Sequence, residues 1–204
     1  MGAAARMARV LKIPFTFDFE HGYANEPVKV ADNVSRLANL GVDGINIEDG
    51  RDDASVLARK VEAIRNALSK ANLDLFINTR CDVFLARLAE ETHLVGESIR
   101  RGQLYAKAGA DGFFLPGVSQ PEHISEVAGG VPLPLNVMSV PALPNAMELA
   151  KLGVRRLSAG SAIAQVLWLK AQTLAQEFLK SGRSESLLEG AMPYPQLQEL
   201  FAQK

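Results

Sequence analysis

Four side chains in this sequence have types and spacings suited to joint chemistry: Asp18, Glu20, Glu48 and Arg80. On a β-strand side chains alternate, so Thr16, Asp18 and Glu20 would share one face while Phe15, Phe17 and Phe19 share the other. The parity recurs in 44–49, where Asn46 and Glu48 oppose Ile45 and Ile47, and in 75–82, where Asn78, Arg80 and Asp82 fall together. If the first two strands are neighbours, Asp18 and Glu48 approach within roughly 5 to 7 Å. Like charges that close repel by on the order of 2 to 4 kcal/mol at an effective dielectric of about 20. Either one carboxylate is protonated or a cation sits between them. Three acids in oxygen-only surroundings favour a hard ion, Mg2+, that keeps several waters. Histidine and cysteine ligands suited to zinc are lacking. Arg80 brings a planar fork that can hold a carboxylate by two parallel hydrogen bonds, so the implied ligand is a small anion. A metal on a carbonyl oxygen beside an arginine-held carboxylate would stabilise an enolate formed from a 2-oxo acid, with cleavage of a bond next to the carbonyl.

These residues need strands placed side by side, and the chain supplies them at regular intervals. Asp18 and Glu48 are 30 residues apart and Glu48 and Arg80 are 32 apart, the length of a βα unit. Helical patterns at about 28–40, 54–70, 92–108, 121–128, 145–152, 161–180 and 195–203 alternate with strand candidates. The segment 3–11 reads as a helix ahead of the first strand. Gly41, Gly109, Gly153 and Gly182 each fall just past a helix, where a left-handed cap favours glycine. Three further apolar runs, 112–116, 133–137 and 154–158, end near Pro116, Asn136 and Ser158. The predicted fold is α/β: a (β/α)8 TIM-type barrel, N-terminally incomplete with about six βα units, since a closed barrel typically takes about 250 residues. The chain reads as a single domain over 1–204. A doubly wound open sheet is the competing fold; the Gly-x-Gly-x-x-Gly turn expected after its first strand is missing.

Composition narrows the function classes. The 204 residues are 48% hydrophobic and 22% charged, with a net charge of -1, enough for one domain with a sizeable core. Nucleic acid is disfavoured as a partner, because phosphate binding needs clustered Lys and Arg. No window approaches the roughly 20 apolar residues of a membrane span. The single cysteine, Cys81, excludes an internal disulfide and a cysteine zinc site, which fits a reducing, cytoplasmic setting.

Each candidate also has a plainer reading. Asp18 and Glu20 could cap a strand end or pair with Arg80. Asp49 opens a loop and reads as a turn residue rather than a ligand. Asp82 either braces Arg80 or serves the site. Cys81 has the wrong parity and reads as packed, His21 as a polar loop residue or a proton carrier, and His93 and His123 as helix-surface residues. Asn136 and Ser158 either hydrogen-bond a substrate or close their strand ends. Arg155 and Arg156 read as solvated.

The motifs together resemble a known family. The stretch 18–23, Asp-Phe-Glu-His-Gly-Tyr, resembles the Asp-x-Asp/Glu-x-Gly-Tyr signature of the isocitrate lyase and phosphoenolpyruvate mutase superfamily. The stretch 44–49 is similar to its Gly-x-x-Ile-Glu-Asp strand and 78–82 to its Arg-Thr-Asp element; 105–111 and 153–158 continue the match in order. The resemblance implies an eight-stranded βα barrel, a homo-oligomer (dimer or tetramer) whose last helix, here about 193–204, is exchanged between subunits, and a Mg2+ site. It implies that Asp18 ligates the metal directly, that Glu20 and Glu48 act through water, that Arg80 holds the substrate carboxylate, and that Asn136 lines the pocket. On that basis Arg80, Glu48 and Asn136 are the candidate catalytic residues, Arg80, Asn136 and Ser158 bind substrate, and Asp18, Glu20 and Glu48 hold the metal.

Two departures bear on function. Relatives that cleave isocitrate or methylisocitrate carry a Lys-Lys/Arg-Cys-Gly-His loop, and here the corresponding place, 50–55, reads Gly-Arg-Asp-Asp-Ala-Ser. That leaves smaller acids: a Mg-dependent carbon-carbon lyase acting on an oxaloacetate-like 2-oxo acid, or a phosphonopyruvate hydrolase or mutase on the same site. The chain also matches the family from its third strand onward, and the reading of another class is a catalytically silent truncated barrel.

Overall fold

Residues 1–202 are described by a computed structural model. Six parallel strands run β1 Thr16–Asp18, β2 Gly44–Glu48, β3 Phe76–Arg80, β4 Gly112–Leu115, β5 Leu135–Met138 and β6 Val154–Ser158, hydrogen-bonded in chain order. Between them lie α2 Pro27–Asn39, α3 Ala54–Ala71, α4 Leu94–Ala108, α5 Pro121–Gly130 and α6 Ala146–Lys151, with α1 Gly2–Val10 in front. Consecutive parallel strands, each returned by a helix, build the wall of a βα barrel, and the six units match the expected number. Local chemistry sets the helix ends: Pro27 and Pro121 take first-turn positions, where no amide partner is needed. The Asp53 side chain accepts from the Ser55 amide, Asn145 and Glu148 form a reciprocal capping box, and Gly109 at φ 101° closes α4.

The two faces of the sheet divide the work. Ile45, Ile47, Ile77, Phe113, Leu115 and Val137 point outward and join Leu37, Val61, Ile64 and Ile124 from the helices in one solvent-free core. Each such side chain contributes about 1.5–3 kcal/mol of burial. The inner face is polar instead. Asn78 Nδ2 donates to Asn46 Oδ1 (2.9 Å) and to Asn136 Oδ1 (3.1 Å), and Asn136 Nδ2 donates to Ser158 Oγ (3.0 Å). Asn78 and Asn136 sit two strands apart, about 9–10 Å in a flat sheet, so their bond requires a concave wall. Gly112, on the strand between them, leaves the path open: a Cβ there would lie 2.6 Å from Asn78 Oδ1 and 2.9 Å from the Phe76 ring.

One buried carboxylate ties the sheet to α4. Asp49, just past β2, accepts from Arg101 Nη1 (2.8 Å) and Tyr105 Oη (2.6 Å) on α4 and from the Asp82 amide (2.9 Å) past β3. Arg101 also donates through Nε to Glu97 Oε1 (2.8 Å). Burial and then the Asp49 charge push the Tyr105 phenol up, so it stays a donor. Glu97 hydrogen-bonds Arg100, and that contact, followed by Arg101, outweighs desolvation and lowers its carboxyl to about 2.

The strand expected through Glu20 ends earlier. β1 stops at Asp18, and Glu20 stands at φ 46° in a left-handed turn, which breaks the alternation that would have aligned it with Asp18. A second compact unit begins at Ala159 and holds α7 Ala162–Ser181, α8 Glu185–Leu188 and α9 Tyr194–Glu199. In this unit Ile163, Val166, Leu167, Trp168, Leu169 and Leu179 are exposed. The last helix expected at 193–204 corresponds to α9; residues 203 and 204 lie outside the described residues. Among the described residues no helix is long and apolar enough to cross a membrane.

Two measurements test this architecture. Gly112→Ala should cost about 1–3 kcal/mol by forcing Asn78 and Phe76 apart, read as a lower urea midpoint with unchanged slope; an unchanged midpoint would contradict the concave wall. The Glu97 carboxyl is depressed from 4.5 to about 2, so its contribution is present above pH 4.5 and is lost as pH falls toward 2. Glu97→Gln should flatten that part of the stability-against-pH curve, by on the order of 2 kcal/mol.

Candidate active site

Arg80 closes β3 with its guanidinium held on two sides. Nε and Nη2 donate to the two Asp82 carboxylate oxygens at 2.7 and 3.1 Å, a bidentate fork, and Nη1 meets Glu48 Oε2 at 2.7 Å. The register explains the second contact, because Glu48 on β2 pairs directly with Arg80 on β3 and their like parity turns both side chains to the inner face. Two of the five guanidinium N–H groups donate to Asp82 and a third faces the Glu48 carboxylate as an ion pair, which leaves two. Burial disfavours the Arg80 charge, but the Asp82 hydrogen bonds and the Asp82 and Glu48 charges outweigh it and raise its pKa. Asp82 thus braces the arginine.

The half-buried Glu48 carboxyl is raised above its ordinary range. Burial pushes its carboxyl up, Arg80 pulls it down, Asp82 raises it, His21 lowers it and Asp18 raises it. His21 Nε2 lies 3.5 Å from Glu48 Oε1. The His21 ring rests where a Cβ of Gly50 would be, 2.5 Å from its Cε1, and the buried Lys60 ammonium holds the His21 carbonyl at 2.8 Å. Asp18 ends β1 opposite Asn46 and is exposed; Glu20 is exposed in the following turn, its carbonyl accepting from the Glu48 amide. The Tyr23 phenol is raised by partial desolvation and then by the charges of Glu20, Asp18 and Glu48.

The charges of Asp82, Glu48 and Asp18 all act on the Arg80 guanidinium. Among the described residues no three His, Cys, Asp or Glu side chains converge as a ready-made ion cage. The donors are all oxygens, and a hard ion that keeps its own waters is compatible with one direct carboxylate and others reached through water.

Asn136 stands two strands beyond Arg80, opposite Phe114, which pairs with Arg80. Its amide is committed to Asn78, Ser158 and the Val137 and Arg156 carbonyls (Nδ2 at 2.8 and 3.2 Å). Asn136 and Ser158 therefore join each other but do not bond to Arg80. Cys81 is buried, and burial pushes its thiol well up. His93 is exposed, His123 is half-buried beside the Phe84 ring, and Arg155 and Arg156 are exposed. Reading the sequence missed the Asp49 cluster. Glu97, Arg101 and Tyr105 are spaced four residues apart on α4, a polar stripe on a helix face turned to the core, and that pattern was the available signal.

Comparison with known proteins identifies the family. The family model for phosphoenolpyruvate phosphomutase matches residues 1–179. An uncharacterized protein of Mycobacterium tuberculosis (strain ATCC 25618 / H37Rv) is 34% identical over 200 residues, 96% of this chain and 72% of that protein. An oxaloacetate decarboxylase of Ectopseudomonas mendocina (strain ymp) is 34% identical over 165 residues, covering 78% of this chain; the alignment spans 56% of that enzyme, little more than half its length. The crystal structure of a phosphonopyruvate hydrolase in complex with oxalate and Mg++ shares the fold, with a TM-score of 0.78 at 21% identity over 97% of this chain and 72% of that one. With a family-model match over residues 1–179 and a relative 34% identical over nearly its whole length, the chain belongs to the phosphoenolpyruvate phosphomutase family.

Proposed function

We propose that this chain is a lyase that cleaves the carbon-carbon bond next to the carbonyl of a small 2-oxo acid, with oxaloacetate as the substrate class. One observation carries the reading: Arg80 is held by Asp82 on one edge with two N–H groups left over, beside a surplus of carboxylate. The likeness to oxaloacetate decarboxylase supports it. In this reading the two spare Arg80 N–H groups take the carboxylate next to the substrate carbonyl. The far carboxylate leaves as carbon dioxide, and the electron pair of the broken bond passes into the carbonyl to give the enolate of pyruvate, which then takes a proton. Mg2+, held directly by Asp18 and through water by Glu20 and Glu48, would supply positive charge at the carbonyl oxygen. Partial burial of Glu48 strengthens these charge interactions. Asn136 and Ser158 shape the adjoining wall and contribute substrate contacts. The working protein is a cytoplasmic homo-oligomer, with the helix at about 193–204 exchanged between subunits; the apolar side chains exposed on α7 support association.

A second reading, a phosphonopyruvate hydrolase or mutase on the same site, is supported by the shared fold of the hydrolase that holds oxalate and Mg++. Here the bond broken is carbon to phosphorus, and the same enolate is left behind.

The discriminating assay follows pyruvate release from oxaloacetate, corrected for the enzyme-free reaction, with Mg2+, with chelator, and with Arg80→Ala. Losing the charged fork should lower kcat/KM about 100-fold, and chelator should abolish turnover. Equal rates in all three samples would remove the lyase reading, and phosphate release from phosphonopyruvate in their place would install the second.

A further inference from the structure

We infer that Asp49, Arg101 and Tyr105 form a positioning relay that sets the aim of Arg80 from the opposite side of the sheet, acting through Asp82. The inference rests on the reading of Arg80 as the carboxylate anchor and adds residues that contact no ligand.

The relay is built from consecutive contacts. Asp49 grips the chain on both sides of Cys81: its amide donates to the Arg80 carbonyl at 3.1 Å, and its Oδ1 accepts from the Asp82 amide at 2.9 Å. That two-point hold fixes the peptide path of 80–82, and with it the place from which the Asp82 carboxylate forks the guanidinium. Asp49 is itself aimed by α4, because its Oδ2 accepts from both Arg101 Nη1 and Tyr105 Oη. Arg101 is held in turn by Glu97 and by the Asp52 carbonyl at 3.2 Å.

Two features separate this from ordinary core polarity. Asp49, Asp82 and Arg101 are buried and Tyr105 is wholly so, an arrangement whose desolvation cost is offset only while every partner is in place. The cluster also converges on one short peptide segment, the one that carries the anchor. A bidentate fork tolerates little rotation, so a shift of the Asp82 carboxylate turns the two spare N–H groups away from a planar ligand.

The test uses the full chain and two readouts. Tyr105→Phe and Asp49→Asn are compared with the parent for oxalate affinity by calorimetry in Mg2+, and for hydrogen exchange of the Arg80 Nε–H by NMR, assigned through its loss in Arg80→Lys. Each variant should weaken oxalate about tenfold and speed Nε–H exchange at least as much, while the Ile77 amide of the same strand keeps its protection. In an Arg80→Lys background, Tyr105→Phe should add nothing further, since the fork it aims is gone. Unchanged Nε–H exchange in both variants overturns the relay whether or not oxalate binds. Equal acceleration at Ile77, or the same oxalate penalty in the Arg80→Lys background, shows a merely structural role and overturns it too. Failure of the anchor reading looks different: Arg80→Ala would then bind oxalate as tightly as the parent.

Discussion

The structure turns on a single buried carboxylate. Asp49 stands where β2 gives way to its loop, and with its own amide and its two oxygens it joins the β2 end to the β3 end and both to α4. A charge in this position is costly unless every lone pair is met, and here each oxygen is met by a donor: an amide on one, a guanidinium and a phenol on the other. The apolar layer around it then needs no water. Ile47, Cys81, Val83 and Leu57, near these strand ends in sequence, are all buried.

That constraint explains how one sheet can be greasy on one side and acidic on the other. The outward residues are held by burial against the helices, which is non-directional and leaves strand ends free to wander. Direction comes from hydrogen bonds: Asp49 at the carboxyl ends of β2 and β3, and the Asn46–Asn78–Asn136–Ser158 chain across the inner wall. The glycine at 112 is where the two systems meet, because curvature sufficient for Asn78 to reach Asn136 leaves no space for a methyl group. Functional side chains at the carboxyl ends of the strands are the expected consequence of such a wall.

Strand parity made the core of the site legible in advance. Glu48 and Arg80 have like parity on strands of equal length, so a parallel register brings them together, and the structure pairs them. Asp82, two past Arg80, was equally open as a brace or a site residue, and only geometry decides that it braces. Glu20 was misplaced because alternation was extended past the end of β1; the left-handed turn at Glu20 is a choice of the local backbone that side-chain periodicity does not encode. Asp49 shows the opposite failure. Its parity puts it with Ile45 and Ile47 on the helix side, where an acid demands partners, yet the partners lie 52 and 56 residues downstream and are visible only once α4 is packed on the sheet.

The arrangement of donors also bears on why a small acid suits the site. Asn78 and Asn136 bind to each other and to their neighbours, so the wall offers shape more than free hydrogen-bond donors. On the proposed reading recognition is concentrated in Arg80, whose guanidinium stands beside the Glu48, Asp82 and Asp18 charges. An anion approaching that group is repelled unless its charge falls on the guanidinium, and the carboxylates of Asp18 and Glu48 then penalise any misplaced negative atom by on the order of 1–4 kcal/mol at a few ångströms. Repulsion from the acids and attraction to one oriented fork act together, and selectivity comes from both. On the proposed reading a short 2-oxo acid puts the carboxylate beside its carbonyl on the guanidinium, and the negative charge of its far carboxylate is lost from the site as that group departs as neutral carbon dioxide.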